Sequence, residues 1–118
     1  MIVIYGLKAC DSCRKAQAIA EAAGAAWRLH DLRADGLPAD RFAQWLERVG
    51  WEALLNRRST TWRALPEADK AELDAGAAAR LMERHPTLIK RPVIEAGDRL
   101  IVGLAPSQAA ALAALAGG

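Results

Sequence analysis

The sequence predicts an α/β class: a small sandwich of strands and helices in one domain, residues 1–118. Three observations carry that expectation. An apolar, β-branched run, Ile2-Val3-Ile4-Tyr5, opens the chain. A helical period and then a second alternating run follow it, so that strand, helix and strand fit within about 30 residues, the span of a βαβ unit with a right-handed crossover. Late in the chain two short runs, Pro92 to Glu95 and Arg99 to Val102, flank the turn Ala96-Gly97-Asp98 and read as an antiparallel hairpin.

Each element has a local reason. Residues 2–5 are short and apolar with Gly6 behind them, the pattern of a buried strand. From Asp11 to Ala23 the residues Cys13, Ala16, Ala20 and Ala23 recur at intervals of three or four, with Ile19 beside them, and Gly24 suits the position that ends a helix. Residues 26–31 alternate, with Trp27 and Leu29 on one face. After the turn Ala34 to Pro38, the side chains Phe42, Trp45, Leu46 and Val49 mark one face of a helix that Gly50 stops. Trp51 to Leu55 predicts a short further helix. Asn56 to Arg63 is polar and basic without a period and reads as a loop. Pro66 suits a first helical turn, and Ala68 to Arg84 reads as one long helix, with Leu73, Ala77 and Leu81 four apart, closed by His85-Pro86. Pro106 to Leu115 is a final alanine-rich helix. The helices between about 38 and 85 thus form an insertion after the second strand. Trp27, Phe42, Trp45 and Trp51 are assigned to the core by their spacing.

Composition narrows the function. A chain that is 53% hydrophobic and 25% charged can bury an ordinary soluble core, and a net charge of +2 is too mild for a dedicated nucleic-acid binder. No stretch approaches the roughly 18 apolar residues of a membrane span. The opening Met-Ile-Val-Ile-Tyr reads as a strand and not as an export signal, so the expected compartment is the cytoplasm. In that reducing setting a C-x-x-C pair is more often catalytic or metal-binding than structural.

Cys10-Asp11-Ser12-Cys13 holds both cysteines of the chain and lies at the first strand-to-helix junction. Unpaired N–H groups and the helix dipole at such a junction favour a thiolate. An ordinary thiol, with a pKa of about 8.5, is only a few per cent ionised at neutral pH; the helix start, Lys8 and Arg14 would all increase that fraction. Cys10 is therefore the candidate nucleophile. Cys13, about one turn on, is either the thiol that resolves an adduct on Cys10 or a small core residue. The two histidines, His30 and His85, have no ligand spacing to the pair, and no metal site is expected. Asp11 is assigned to capping the helix.

Several stretches together resemble the arsenate reductase family, in its Spx/YffB-like branch. They are Tyr5-Gly6-Leu7-Lys8-Ala9-Cys10-Asp11, Gly50-Trp51-Glu52-Ala53-Leu54-Leu55-Asn56 with Thr60-Thr61-Trp62-Arg63, and Ile89-Lys90-Arg91-Pro92. The resemblance covers essentially the whole chain. It implies a thioredoxin-like fold with a four-stranded mixed sheet flanked by helices. It also implies that Cys10 is the reactive cysteine, that Arg91-Pro92 faces it, and that the proline is cis. Lys8, Arg58, Arg63, Arg91 and Pro92 become candidates for binding an anion or a glutathione carboxylate beside catalytic Cys10 and Cys13.

The resemblance leaves three activities open. The matching Thr-Thr-Trp-Arg implies a glutathione-dependent thiol-disulfide oxidoreductase, with no bound cofactor and with glutathione or a protein disulfide as partner. Arsenate reductases of the family instead pass electrons from glutathione and glutaredoxin, and hold the oxyanion with three arginines. Here Asn56 stands at the place of the middle one, and Ile101-Val102-Gly103-Leu104 at the place of the late one. The C-x-x-C pair itself resembles the switch of Spx-type regulators, which act on RNA polymerase.

Overall fold

Ile2-Val3-Ile4-Tyr5 and Gly6 form strand β1 (Ile2–Gly6), on which the sheet is built. The computed structural model describes residues 1–117. In chain order, β1 is followed by α1 (Asp11–Ala22), β2 (Trp27–Asp31), α2 (Ala39–Val49), α3 (Trp51–Leu54), α4 (Thr60–Ala64), α5 (Glu67–Lys70), α6 (Ala75–Arg84), a 3₁₀ turn (Pro86–Leu88), β3 (Val93–Ala96), β4 (Arg99–Val102) and α7 (Pro106–Gly117). These elements fall into two units, one comprising Met1–Asp35 with the segment from Arg91 onward, the other Gly36–Lys90.

In the first unit the strand order is β2-β1-β3-β4. β1 pairs parallel to β2, with Ile2 opposite Trp27 and Gly6 opposite Asp31, and antiparallel to β3, with Tyr5 opposite Val93. β3 and β4 close the expected hairpin, with Ala96 opposite Arg99. The sheet is therefore mixed and four-stranded, as anticipated. Alternation along the strands sends Ile2, Ile4, Ile94 and Ile101 to one face, where they pack with Ala16 and Ala20 of α1 and Leu112 of α7. The small alanines let α1 lie close to the sheet, and that seats the start of α1 directly beyond the end of β1. Gly24 (φ 73°) follows the end of α1, and Gly50 (φ 82°) that of α2, in the left-handed region that glycine adopts without strain.

The second unit is helical. Phe42, Trp45, Leu54, Leu81, Met82, Leu88 and Ile89 are buried in it, and Trp45 meets Phe42 edge-on, 6.5 Å between ring centroids at 86°. The segment after α3 is joined to the end of the unit by backbone bonds: Asn56 N–H donates to the Leu88 carbonyl at 2.7 Å, and Lys90 N–H to that of Leu54 at 2.7 Å.

Three sequence readings need correction. Asp11 does not cap α1: Cys10 occupies the N-cap, and Asp11 is the first helical residue. The segment 56–63 is not wholly a loop, because Ser59 accepts the Trp62 N–H through its hydroxyl and starts α4. The long helix expected over 68–84 is two. α5 ends at Lys70, Glu72 takes a φ of 51°, and the Asp74 carboxylate restarts the chain as α6 by accepting the Ala77 N–H at 2.8 Å. Apolar spacing carried across this break, whereas the Asp74 cap marks it.

Candidate active site

The site is built at the end of β1. Leu7, Lys8 and Ala9 turn the chain, the Cys10 N–H closes that turn on the Leu7 carbonyl at 3.2 Å, and the Cys10 carbonyl accepts the first helical bond, from Arg14 N–H, at 3.0 Å. Cys10 is half-buried, Cys13 is fully buried, and both thiols are free. The N-cap position gives the Cys10 sulfur the unpaired donors of the first turn.

Partial burial pushes the Cys10 thiol up, but the groups around it outweigh burial and hold it below its ordinary value. They are the Cys13 thiol, which donates to the Cys10 sulfur, the Cys13 backbone N–H, the Arg91 charge and the Ser12 backbone N–H. Cys13 moves the other way. Burial, first, and then its hydrogen bond to Cys10 and the Cys10 charge push it up to about 12, against the Leu7 backbone and the Arg91 charge. One thiol is thus readied as the thiolate while its neighbour keeps its proton and shares it. Cys13 is a core residue, as one of the two readings of the sequence has it, and its thiol is hydrogen-bonded to Cys10.

Arg91 and Pro92 are joined by a cis peptide bond. Pro92 is buried, and its carbonyl accepts the Gly103 N–H at 2.8 Å, so the loop after β4 holds the segment that carries Arg91. Val93 then enters β3 opposite Tyr5. Arg91 itself is half-buried, and its charge acts on both sulfurs.

Of the other candidates, Lys8 is exposed; its backbone N–H reaches Asp31 Oδ2 at 3.3 Å and its charge bears on Asp31. Arg58 and Arg63 belong to the helical unit and are exposed. The Arg58 N–H is held by Asn56 Oδ1 at 3.0 Å, and Arg63 Nη2 donates to the Arg58 carbonyl at 3.0 Å. Asn56 is thus a turn-forming residue: its side chain caps Arg58 and its carbonyl accepts from the Ser59 hydroxyl at 2.9 Å. Trp62 is half-buried, with the Arg57 guanidinium 5.9 Å and the Lys70 ammonium 5.5 Å from its ring centre. Among the described residues no group of three or more His, Cys, Asp or Glu side chains gathers as a metal site.

Asp31 is a site residue that the sequence reading passed over. It is buried at the end of β2 and accepts N–H bonds from Arg33 (2.8 Å), Ala34 (3.0 Å) and Lys8, tying the Lys8 turn to the neighbouring strand. The Ala34 N–H, followed after the opposing effect of burial by those of Arg33 and Lys8, holds its carboxyl below the usual range. An aspartate closing a strand and followed four residues later by Asp35 was the available signal.

The model of the ArsC family matches residues 5–112. An uncharacterized protein of Haemophilus influenzae is 41% identical over 103 residues, 87% of this chain and 90% of its own length. The solved structure of the YFFB protein superposes with a TM-score of 0.86 at 42% identity, covering 95% of this chain and 98% of the other. The global transcriptional regulator Spx of Streptococcus mutans is 27% identical over 105 residues, 87% of this chain and 76% of its own. The fold is thioredoxin-like, and the chain belongs to the ArsC family.

Proposed function

We propose that the protein is a glutathione-dependent thiol-disulfide oxidoreductase. The observation that supports this is the unlike pair of thiols at the start of α1: Cys10, held toward its thiolate, and Cys13, bonded to it and still protonated. In the reaction the Cys10 thiolate attacks one sulfur of a glutathione disulfide. It forms a mixed disulfide and expels one glutathione thiolate, which takes up a proton. Cys13 then gives up its proton and attacks the Cys10 sulfur, closing an internal disulfide and expelling the second glutathione thiolate. The dithiol loses two electrons and the disulfide gains them. In the physiological direction, reduced glutathione reopens the Cys10–Cys13 bond, which suits a cytoplasmic protein. Arg91 holds the negative charge of the reacting sulfur or of a glutathione carboxylate.

Mass spectrometry of the protein incubated with oxidised glutathione tests this reading. The expected series is a single glutathione adduct on Cys10 that converts to an internal disulfide. A protein that takes up no glutathione on Cys10 would remove the proposal.

The relatives named as transcriptional regulators favour a second reading, in which oxidation of Cys10 and Cys13 alters a surface that binds RNA polymerase. It predicts redox-dependent retention of polymerase subunits from cell extract on the immobilised protein. Retention in neither the reduced nor the oxidised state would exclude it.

A further inference from the structure

Gly6 ends β1 opposite Asp31, and its φ lies outside the left-handed region, so the backbone does not require glycine there. The residue is buried, and what a side chain would meet is specific. A Cβ placed on Gly6 runs into the Cys13 sulfur, and beyond the sulfur it meets only the Cys13 Cβ, at 3.4 Å. Chain neighbours aside, no other heavy atom of the described residues stands within 4 Å of that position. The space left by the missing side chain is therefore the space that the Cys13 sulfur occupies. Cys13 has no exposed surface, so its sulfur has no solvent into which to retreat without turning away from Cys10.

We propose that Gly6 is a positioning residue of the dithiol, matched in volume to Cys13, whose sulfur it seats beside Cys10. Gly6 does not touch substrate in this arrangement; it acts through Cys13. The inference rests on the reading of Cys10 and Cys13 as the reacting pair.

The pairing predicts strong non-additivity. Gly6→Ala forces the Cys13 sulfur aside and is expected to lower the melting midpoint by about 5 °C or more, as over-packing of a buried site does. In a Cys13→Ala background the sulfur is gone. The new methyl then meets only the Cβ at position 13, at an ordinary contact distance, and the same substitution is expected to leave the midpoint nearly unchanged. Equal losses of midpoint in both backgrounds would overturn the proposal. If Gly6→Ala alone fails to fold, a folded Gly6→Ala/Cys13→Ala protein supports the pairing, and an unfolded one overturns it.

A second measurement follows the chemistry. In folded Gly6→Ala protein treated with oxidised glutathione, closure of the internal disulfide is expected to slow by about a hundredfold, the effect of displacing a reacting atom by roughly 1 Å. The glutathione adduct on Cys10 then accumulates. Closure at the wild-type rate would overturn a positioning role. If wild-type Cys10 takes up no glutathione at all, the oxidoreductase reading fails, whereas the melting comparison still decides the Gly6–Cys13 pairing.

Discussion

Cys10→Ser is expected to abolish thiol exchange, lowering turnover of glutathione mixed disulfides by at least about a thousandfold, while the melting midpoint moves by no more than a few degrees. The asymmetry follows from where the sulfur sits. Cys10 is half-buried at the mouth of α1, its backbone makes the turn and the first helical bond, and a serine preserves both. Serine is also a good N-cap, so the helix loses nothing by the exchange. What disappears is a nucleophile whose ionised form is stabilised in the ground state. The Cys13 thiol, the Cys13 and Ser12 N–H groups and Arg91 hold Cys10 below its ordinary value, even against burial. These donors cannot bring a hydroxyl near ionisation at neutral pH. The matching expectation for the wild type is that the alkylation rate of Cys10 rises with pH through a midpoint below that of an ordinary thiol. A Cys10→Ser protein that keeps a tenth of the exchange activity, or a wild-type midpoint at or above that of an ordinary thiol, would contradict the assignment of Cys10 as the nucleophile.

Much of the first unit was legible because its signals are local and periodic. Ile2 to Tyr5 could only be buried on a sheet, the spacing Cys13-Ala16-Ala20 defined the buried stripe of α1, and Gly97 marked the turn of the hairpin. The C-x-x-C at the strand–helix junction pointed to Cys10 for a reason of elementary electrostatics, and the backbone N–H groups of Ser12 and Cys13 are among the groups that hold its thiol below the ordinary value. The helical unit was less legible. Short helices such as α4 and α5 have too few residues to show a period, and their limits are set by Ser59 and by the reversal at Glu72. Gly6 and Asp31 were missed for a different reason. Their importance lies in what packs against them from elsewhere in the chain, the Cys13 sulfur in one case and the Lys8 turn in the other, and no local pattern announces such a meeting.

Asp31→Ala tests whether that meeting matters. Its carboxylate gathers three backbone N–H groups, from Lys8, Arg33 and Ala34, and its own N–H donates to Asp35 Oδ2 at 3.1 Å. Arg33 and Ala34 are exposed, so water can replace the carboxylate at two of the three donors. The expected loss of stability is therefore about 1–2 kcal/mol, less than that for a fully buried network. The sign with pH is fixed by the direction of the shift. Asp31 titrates below its ordinary value of 3.8 in the folded protein, so its contribution is complete above that pH and is lost as pH falls through the folded value. The gap in stability between wild type and Asp31→Ala, measured by urea unfolding, should be widest near neutrality and should narrow below about pH 4. Because the Lys8 N–H is one of the three donors, the variant also frees the turn that leads to Cys10, and alkylation of Cys10 should slow with it. A variant with wild-type unfolding at neutral pH would show that Asp31 holds nothing in place. One that is destabilised yet alkylated at the wild-type rate would show that the turn is fixed by the Cys10–Leu7 bond alone.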